Sequence, residues 1–191
     1  MKILIILVVL FLLFLIFSEW NTRRVNFVNV HNFYGAESAP VLLEIDRRLK
    51  ILQKHMNAKY PTSTPESEYF DMPERVRQFQ RNYNSSNLYE ISPNNLLRNT
   101  SFTEGKGSKI VMCIRNPEGQ LHDMNTIMFV ALHEITHVMN DRWGHERYFW
   151  KLFQVVLHDA VECGIYQPQN YEKQAKSYCG IQITQNPLYG I

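Results

Sequence analysis

The sequence predicts one α+β domain behind an N-terminal hydrophobic segment, with a small and mainly antiparallel sheet between flanking helices. Three observations carry this prediction: an unbroken apolar run follows Met1-Lys2, apolar residues recur at helical spacing along the chain, and a β-branched run stands between two helical patterns. A chain of 191 residues, less the apolar run, suffices for one domain with one core. We predict a membrane anchor over 1–20, a linker over 21–38 and the α+β domain over 39–191.

The hydrophobic segment runs from Ile3 to Phe17 without a polar residue. As a helix rising about 1.5 Å per residue it spans roughly 22 Å, short of the roughly 30 Å hydrocarbon core, so a cleavable signal peptide and a buried helix are alternatives. A signal peptide needs small residues near its end, whereas Ser18-Glu19-Trp20 offers one Ser before an aromatic residue suited to the headgroup region. We expect an uncleaved single-pass anchor, with positive charges on both sides that leave its orientation open.

The first half of the domain is predicted to be helical and then irregular. An amphipathic helix over Ala39–Tyr60 is indicated by apolar residues at helical spacing, with basic residues between them. Those apolar residues are Val41, Leu42, Ile45, Leu49, Leu52 and Met56. Prolines follow, and Pro73–Tyr83 is expected to form a shorter helix. Asn82–Thr103 is rich in Asn and Ser and is expected to be mostly loop, with 88–91 as a candidate strand.

The second half contains a strand and two further helices. Lys109–Arg115 is predicted to be a strand because it is apolar and β-branched, and a turn signal at Asn116–Gly119 closes it. The next helix has Asp123 or Asn125 as its cap and is apolar nearly all round, as expected at the centre of a small domain. A last helix is predicted over His145–Gly164, with the glycine as its stop.

The central helix carries His133-Glu134-Ile135-Thr136-His137, which matches the pattern HExxH. Two histidines four residues apart project from one helix face about 6 Å apart, so one metal ion can meet both imidazoles. Zinc with neutral imidazole ligands lowers the pKa of a bound water toward about 7, and Glu134 can act as the base for that water without ligating the metal. A structural polar cluster is the alternative, although each unpaired polar group in an apolar helix costs about 1–3 kcal/mol.

A catalytic zinc needs a third protein ligand and an open fourth position. His145 is the first candidate, because the helix can run only to about Asn140 and the turn after it brings the chain back toward the metal. Asp159 or Glu162 on the following helix is the alternative, as a carboxylate ligand. We expect His145 because it can reach the ion without a long excursion.

Charge and cysteine content argue against two other classes of protein. A formal net charge of +2 and a pI near 8.4 do not indicate an electrostatic nucleic-acid footprint. Cys113, Cys163 and Cys179 form no CxxC pair, so neither a disulfide framework nor a thiolate zinc site is predicted. We expect three reduced thiols, with a single Cys163–Cys179 bridge as the alternative.

The residues around the HExxH pattern resemble a known family. HEITH, followed by Gly144-His145 and Phe149-Trp150, is similar to the WLM and SprT-like zinc metallopeptidases, whose pattern is HExxH, a short variable turn and a third histidine with an aromatic residue four positions on. The segments 105–132, Tyr178–Ile181 and Asn186–Leu188 look like the WLM-type proteins encoded by large DNA viruses of eukaryotes. The likeness is strongest over 105–190 and does not include the hydrophobic segment.

This resemblance implies a minimal zincin-like fold in which His133, His137 and His145 bind Zn²⁺ and Glu134 is the general base. Cellular relatives cut proteins crosslinked to DNA or act near ubiquitin-like modifiers, so a nucleic-acid partner is implied by the resemblance and not by charge. In zincin folds a strand beside the active-site helix pairs with extended substrate, and we expect 109–115 to serve as that strand. Three tyrosines are eligible to stabilise the oxyanion: Tyr148, Tyr166 and Tyr178.

The leading hypothesis is a membrane-anchored zinc metallopeptidase that hydrolyses protein or peptide substrates with a zinc-activated water. One alternative is a non-catalytic membrane or virion structural protein stabilised by zinc. Another is a membrane-anchored peptide-binding module that uses the 109–115 edge. Residues 3–17 would hold the protein at a membrane, of the host or of the virion if it is viral, and the sequence indicates no oligomeric state.

Overall fold

The computed structural model describes residues 37–62, 71–91 and 100–190. In these ranges it has four helices: α1 (Ser38–Lys59), α2 (Met72–Asn82), α3 (Met124–Met139) and α4 (Arg147–Glu162). The strands are β1 (Leu88–Glu90), β2 (Phe102–Glu104), β3 (Lys109–Met112), β4 (Lys176–Tyr178) and β5 (Ile181–Ile183). The predicted α+β class is therefore confirmed.

The predicted anchor at 3–17 and most of the predicted linker lie outside the described residues. None of the helices in the described ranges combines the length and the apolar character needed to cross a bilayer. The anchor and the linker therefore remain predictions.

The first two helices form where the sequence predicts them. Five of the six predicted apolar residues of α1 are buried, and Val41 is partly buried. α2 begins at a cap where the Asp71 side chain accepts from the backbone N–H of Glu74 at 3.1 Å. One acidic residue of α1 is also buried: Asp46 accepts from the Tyr83 hydroxyl at 2.8 Å. This hydrogen bond satisfies the carboxylate inside the core and ties α1 to the end of α2.

As predicted, antiparallel pairing predominates, with two of the three strand pairs in the described ranges, but one pair is parallel and the three-stranded sheet is therefore mixed. Its order is β1-β3-β2, with β3 antiparallel to β2 and parallel to β1. β2 and β3 form a hairpin, and β1 pairs with the other side of β3 in the parallel direction. The predicted substrate edge at 109–115 is wrong, since β3 ends at Met112 and is flanked on both sides. Within the described residues, β1 and β2 are the edge strands, and β2 is the one that contacts Glu134.

The two C-terminal helices pack together at the centre of the core. Asp123 caps α3 as predicted, accepting from the Thr126 backbone N–H at 2.9 Å, whereas Asn125 binds Gln167. The predicted start of α4 at His145 is wrong, because the helix begins at Arg147 and His145 lies in the preceding loop. Gly164, with φ +75°, follows α4 and ends it as predicted.

A disulfide joins Cys113, just after β3, to Cys179 in the turn between β4 and β5. Cys163 is free, so the expectation of three reduced thiols and the alternative Cys163–Cys179 bridge are both wrong. Cys179 and Gly180 have φ of +46° and +79°, the left-handed backbone that a tight two-residue hairpin turn requires. The bond therefore fixes the β4–β5 hairpin to the end of the sheet.

Candidate metal centre

Three imidazoles meet beside the C-terminal half of α3. His133 and His137 project from one face of that helix, and His145 reaches them from the loop before α4. The Nε2 atom of His145 lies 2.9 Å from that of His133 and 3.0 Å from that of His137. The structure thus brings together the three histidines that the sequence singles out.

The loop that carries His145 is held by a side chain from the β2–β3 turn. The Lys106 ammonium donates to the backbone carbonyls of Asn140 at 2.7 Å and Arg142 at 2.6 Å, and it lies 4.4 Å from the centroid of the Trp143 ring. Gly144, with φ +81°, then turns the chain back toward α3. Sequence reasoning missed Lys106, which stands in a segment that reads only as a turn.

An aromatic side chain of α4 supports all three imidazoles. The ring centroid of Phe149 lies 4.8 Å from His133, 4.5 Å from His137 and 4.7 Å from His145. Burial lowers the pKa of His133 well below its usual value, lowers that of His137 to about 4 and also lowers that of His145. The imidazoles are therefore neutral near pH 7, with nitrogen lone pairs available to a metal ion.

Glu134 is buried beside the histidines, with 4% of its surface exposed. Burial raises its pKa to about 7, and a hydrogen bond from Thr103 acts in the opposite direction. That bond joins Thr103 Oγ1 to Glu134 Oε2 at 2.7 Å. Thr103 lies on β2, in a stretch that the sequence predicts to be loop, so sequence reasoning missed it.

The two carboxylates considered as alternative third ligands lie elsewhere. Asp159 and Glu162 both accept from the Lys59 ammonium of α1, the former at 2.6 Å. Together with His55 they form a second group of ligand-type side chains. Neither carboxylate joins the three imidazoles.

The three tyrosines considered for oxyanion stabilisation do not line the cavity at the histidines. Tyr178 is fully buried, and its hydroxyl is bonded to Ser101 Oγ at 2.8 Å and to the carbonyl of Cys113. The hydroxyl of Tyr166 accepts from Asn186 at 3.0 Å. Neither of these residues, nor Tyr148, lines the cavity at the histidines.

A cavity of about 600 Å³ opens beside the histidines and Glu134. Edge strand β2 contributes Phe102 and Thr103 to its wall, and the disulfide-fixed hairpin contributes Ile181 and Ile183. Trp143, with 76% of its surface exposed, stands in the loop between the second and third histidines. The lining of this cavity away from the histidines is therefore largely apolar.

An α+β scaffold that offers three converging histidines and a buried glutamate at an open cavity has the features of a mononuclear metal-site protein. The chain belongs to the WLM domain family, whose model matches residues 78–187. This confirms the resemblance drawn from the sequence.

Similar proteins are encoded by large DNA viruses. An uncharacterized protein of Acanthamoeba polyphaga mimivirus is 33% identical over 153 residues, which cover 80% of this chain and 74% of the relative. An uncharacterized protein of Invertebrate iridescent virus 6 is 35% identical over 82 residues, or 41% of this chain and 44% of that protein. An uncharacterized protein of Invertebrate iridescent virus 3 is 33% identical over 101 residues, which cover 49% of this chain and 62% of that protein. No solved structure matches the chain.

Proposed function

We propose that the protein is a zinc-dependent metallopeptidase of zincin-like architecture. The observation that carries this proposal is the convergence of three neutral imidazole nitrogens next to a buried carboxylate at an open cavity. Membership of the WLM domain family supports the same conclusion.

The donor set of His133, His137 and His145 fits zinc. Zinc–nitrogen distances of about 2.0–2.1 Å at tetrahedral angles separate ligand nitrogens by roughly 3.3 Å. The two Nε2–Nε2 distances of 2.9 and 3.0 Å are close to that separation. Three protein ligands with a cavity on the remaining side correspond to a catalytic site and not to a closed structural one.

Zinc at this position supplies a Lewis acid that polarises a carbonyl group and lowers the pKa of water. The chain's own residues supply the proton transfers. Glu134 accepts a proton from the water that attacks the scissile carbonyl carbon, and it delivers that proton to the amine nitrogen as the carbon–nitrogen bond breaks. Lys106 and Phe149 hold the histidine-bearing loop and rings in place.

The substrate we propose is an extended peptide that lies along β2, which is an edge strand of the three-stranded sheet within the described residues. Extended peptides bind at a sheet edge through main-chain hydrogen bonds. β2 lies beside the histidines, because Thr103 on this strand contacts Glu134 on α3. Main-chain pairing of this kind suits unfolded protein segments of varied sequence.

The proposal is tested by incubating unfolded proteins, alone and bound to DNA, with zinc-loaded wild type and with Glu134→Gln. We expect wild type to cleave, and the variant to retain one zinc per chain while its hydrolysis falls by at least about a hundredfold, because the variant lacks the general base. A matched control is Glu162→Gln, which changes a carboxylate away from the site. Full zinc content without cleavage by wild type would favour the alternative of a zinc-stabilised membrane or virion structural protein.

A further inference from the structure

We propose that Thr103 is a positioning residue that holds the Glu134 carboxylate in the orientation required for proton transfer. This inference rests on the proposed function, since it assigns Glu134 the role of base. Thr103 touches neither substrate carbonyl nor metal in this account and acts only through Glu134.

The contact between the two residues is short and direct. Thr103 Oγ1 lies 2.7 Å from Glu134 Oε2, and 3.3 Å from the Glu134 backbone carbonyl. The carboxylate oxygen is the nearer acceptor, so the single hydroxyl proton points to it. Within the described ranges, Thr103 is the only residue that donates to this carboxylate. The bond engages Oε2, and Glu134 also lines the cavity.

The position of the hydroxyl is itself well fixed. Thr103 pairs with Ile110 in the β2–β3 ladder, so its backbone is held by the sheet and not by a loop. A β-branched side chain has few rotamers on a strand. A carboxylate that is anchored at one oxygen by such a group cannot rotate freely. A base already held in its productive orientation does not have to reach that orientation by rotation in each catalytic cycle.

The same strand is the proposed binding edge for the peptide. Substrate and base would then be positioned by one element, with the peptide along the outer side of β2 and the Glu134 contact made by a side chain of that strand. A purely structural role for the bond, in which it only satisfies a buried carboxylate, makes a different prediction for kinetics. Such a role would change stability without a selective change in turnover.

The test compares Thr103→Val, which keeps the shape and removes the hydroxyl, with Thr103→Ser, which keeps the hydroxyl. Thr184→Val is the matched control, because Thr184 is exposed and outside the cavity. Zinc-loaded proteins are assayed for zinc content, kcat and KM on one unfolded protein substrate. We expect Thr103→Val to retain zinc and KM while kcat falls by about tenfold or more, and Thr103→Ser and Thr184→Val to stay within about threefold of wild type.

A second measurement does not depend on activity. In metal-free protein labelled with ¹³C at glutamate carboxyls, the Glu134 resonance is assigned by its absence in Glu134→Gln. At pH 9 we expect this resonance to shift in Thr103→Val and to remain near the wild-type position in Thr103→Ser. Wild-type kcat in Thr103→Val, or equal impairment of both Thr103 variants, would overturn the proposal. If zinc-loaded wild type hydrolyses nothing, the proposed function fails, and an unchanged resonance in Thr103→Val separately refutes the Thr103–Glu134 contact.

Discussion

Removing the Cys113–Cys179 disulfide is predicted to destabilise the domain by an amount set by the loop that it closes. The two cysteines are 66 residues apart, and the loop contains α3, the three histidines and α4. The chain-entropy relation for a closed loop of this length gives about 4 kcal/mol at 25 °C. For a domain of this size, that loss corresponds to a fall in melting temperature of roughly 8–16 °C.

The assay is urea unfolding of metal-free wild type and of the double variant Cys113→Ala, Cys179→Ala, followed by circular dichroism. The metal must be absent because a ligand of the native state adds its own stability. Cys163→Ala is the matched control, since Cys163 is free and we expect its loss to change stability little. Three reactive thiols in denatured wild type, or a double variant within about 1 kcal/mol of wild type, would refute the reasoning.

The remaining predictions concern the metal ligands, pH and the N-terminus. His145→Ala is expected to lose zinc after dialysis while Asp159→Asn keeps it; the reverse result would restore the carboxylate as third ligand. The metal-free protein is expected to lose stability as pH falls from about 6.5 to about 4, because the lowered pKa values of His133, His137 and His145 let the unfolded state bind more protons than the folded state in this range. Glu134 has the opposite effect, because its raised pKa lets the folded state bind one proton in this range. The three histidines outnumber it, so urea midpoints that rise on acidification would contradict the lowered pKa values of the histidines. Intact-mass measurement from native membranes should find 3–17 retained, and a mature N-terminus between 18 and 25 would identify a signal peptide instead.

Local signals in the sequence predicted much of the fold and most of the candidate site. Helices α1 to α3 and the Asp123 cap follow from periodicity and capping chemistry within one segment, and the spacing of His133 and His137 fixes their common face. The predicted start of α4 is wrong because the sequence does not distinguish a loop histidine that contacts α3, as His145 does, from a histidine at the first position of a helix.

The features that the sequence did not predict all depend on distant contacts. Thr103 meets Glu134 across 31 positions, and Cys113 meets Cys179 across 66. The pairing of β1 with β3 likewise joins residues that are 22 positions apart, as in Leu88 and Ile110. Periodicity within a segment carries no information about such partners.

The central claim is that three histidines and no carboxylate hold one zinc ion at an open site. X-ray absorption at the zinc edge, on protein loaded with one equivalent of zinc, tests it most directly. Three imidazole nitrogens at about 2.0–2.1 Å and one non-protein oxygen are expected in wild type. A wild-type spectrum with two imidazoles and a protein carboxylate, or with sulfur in the shell, would contradict it.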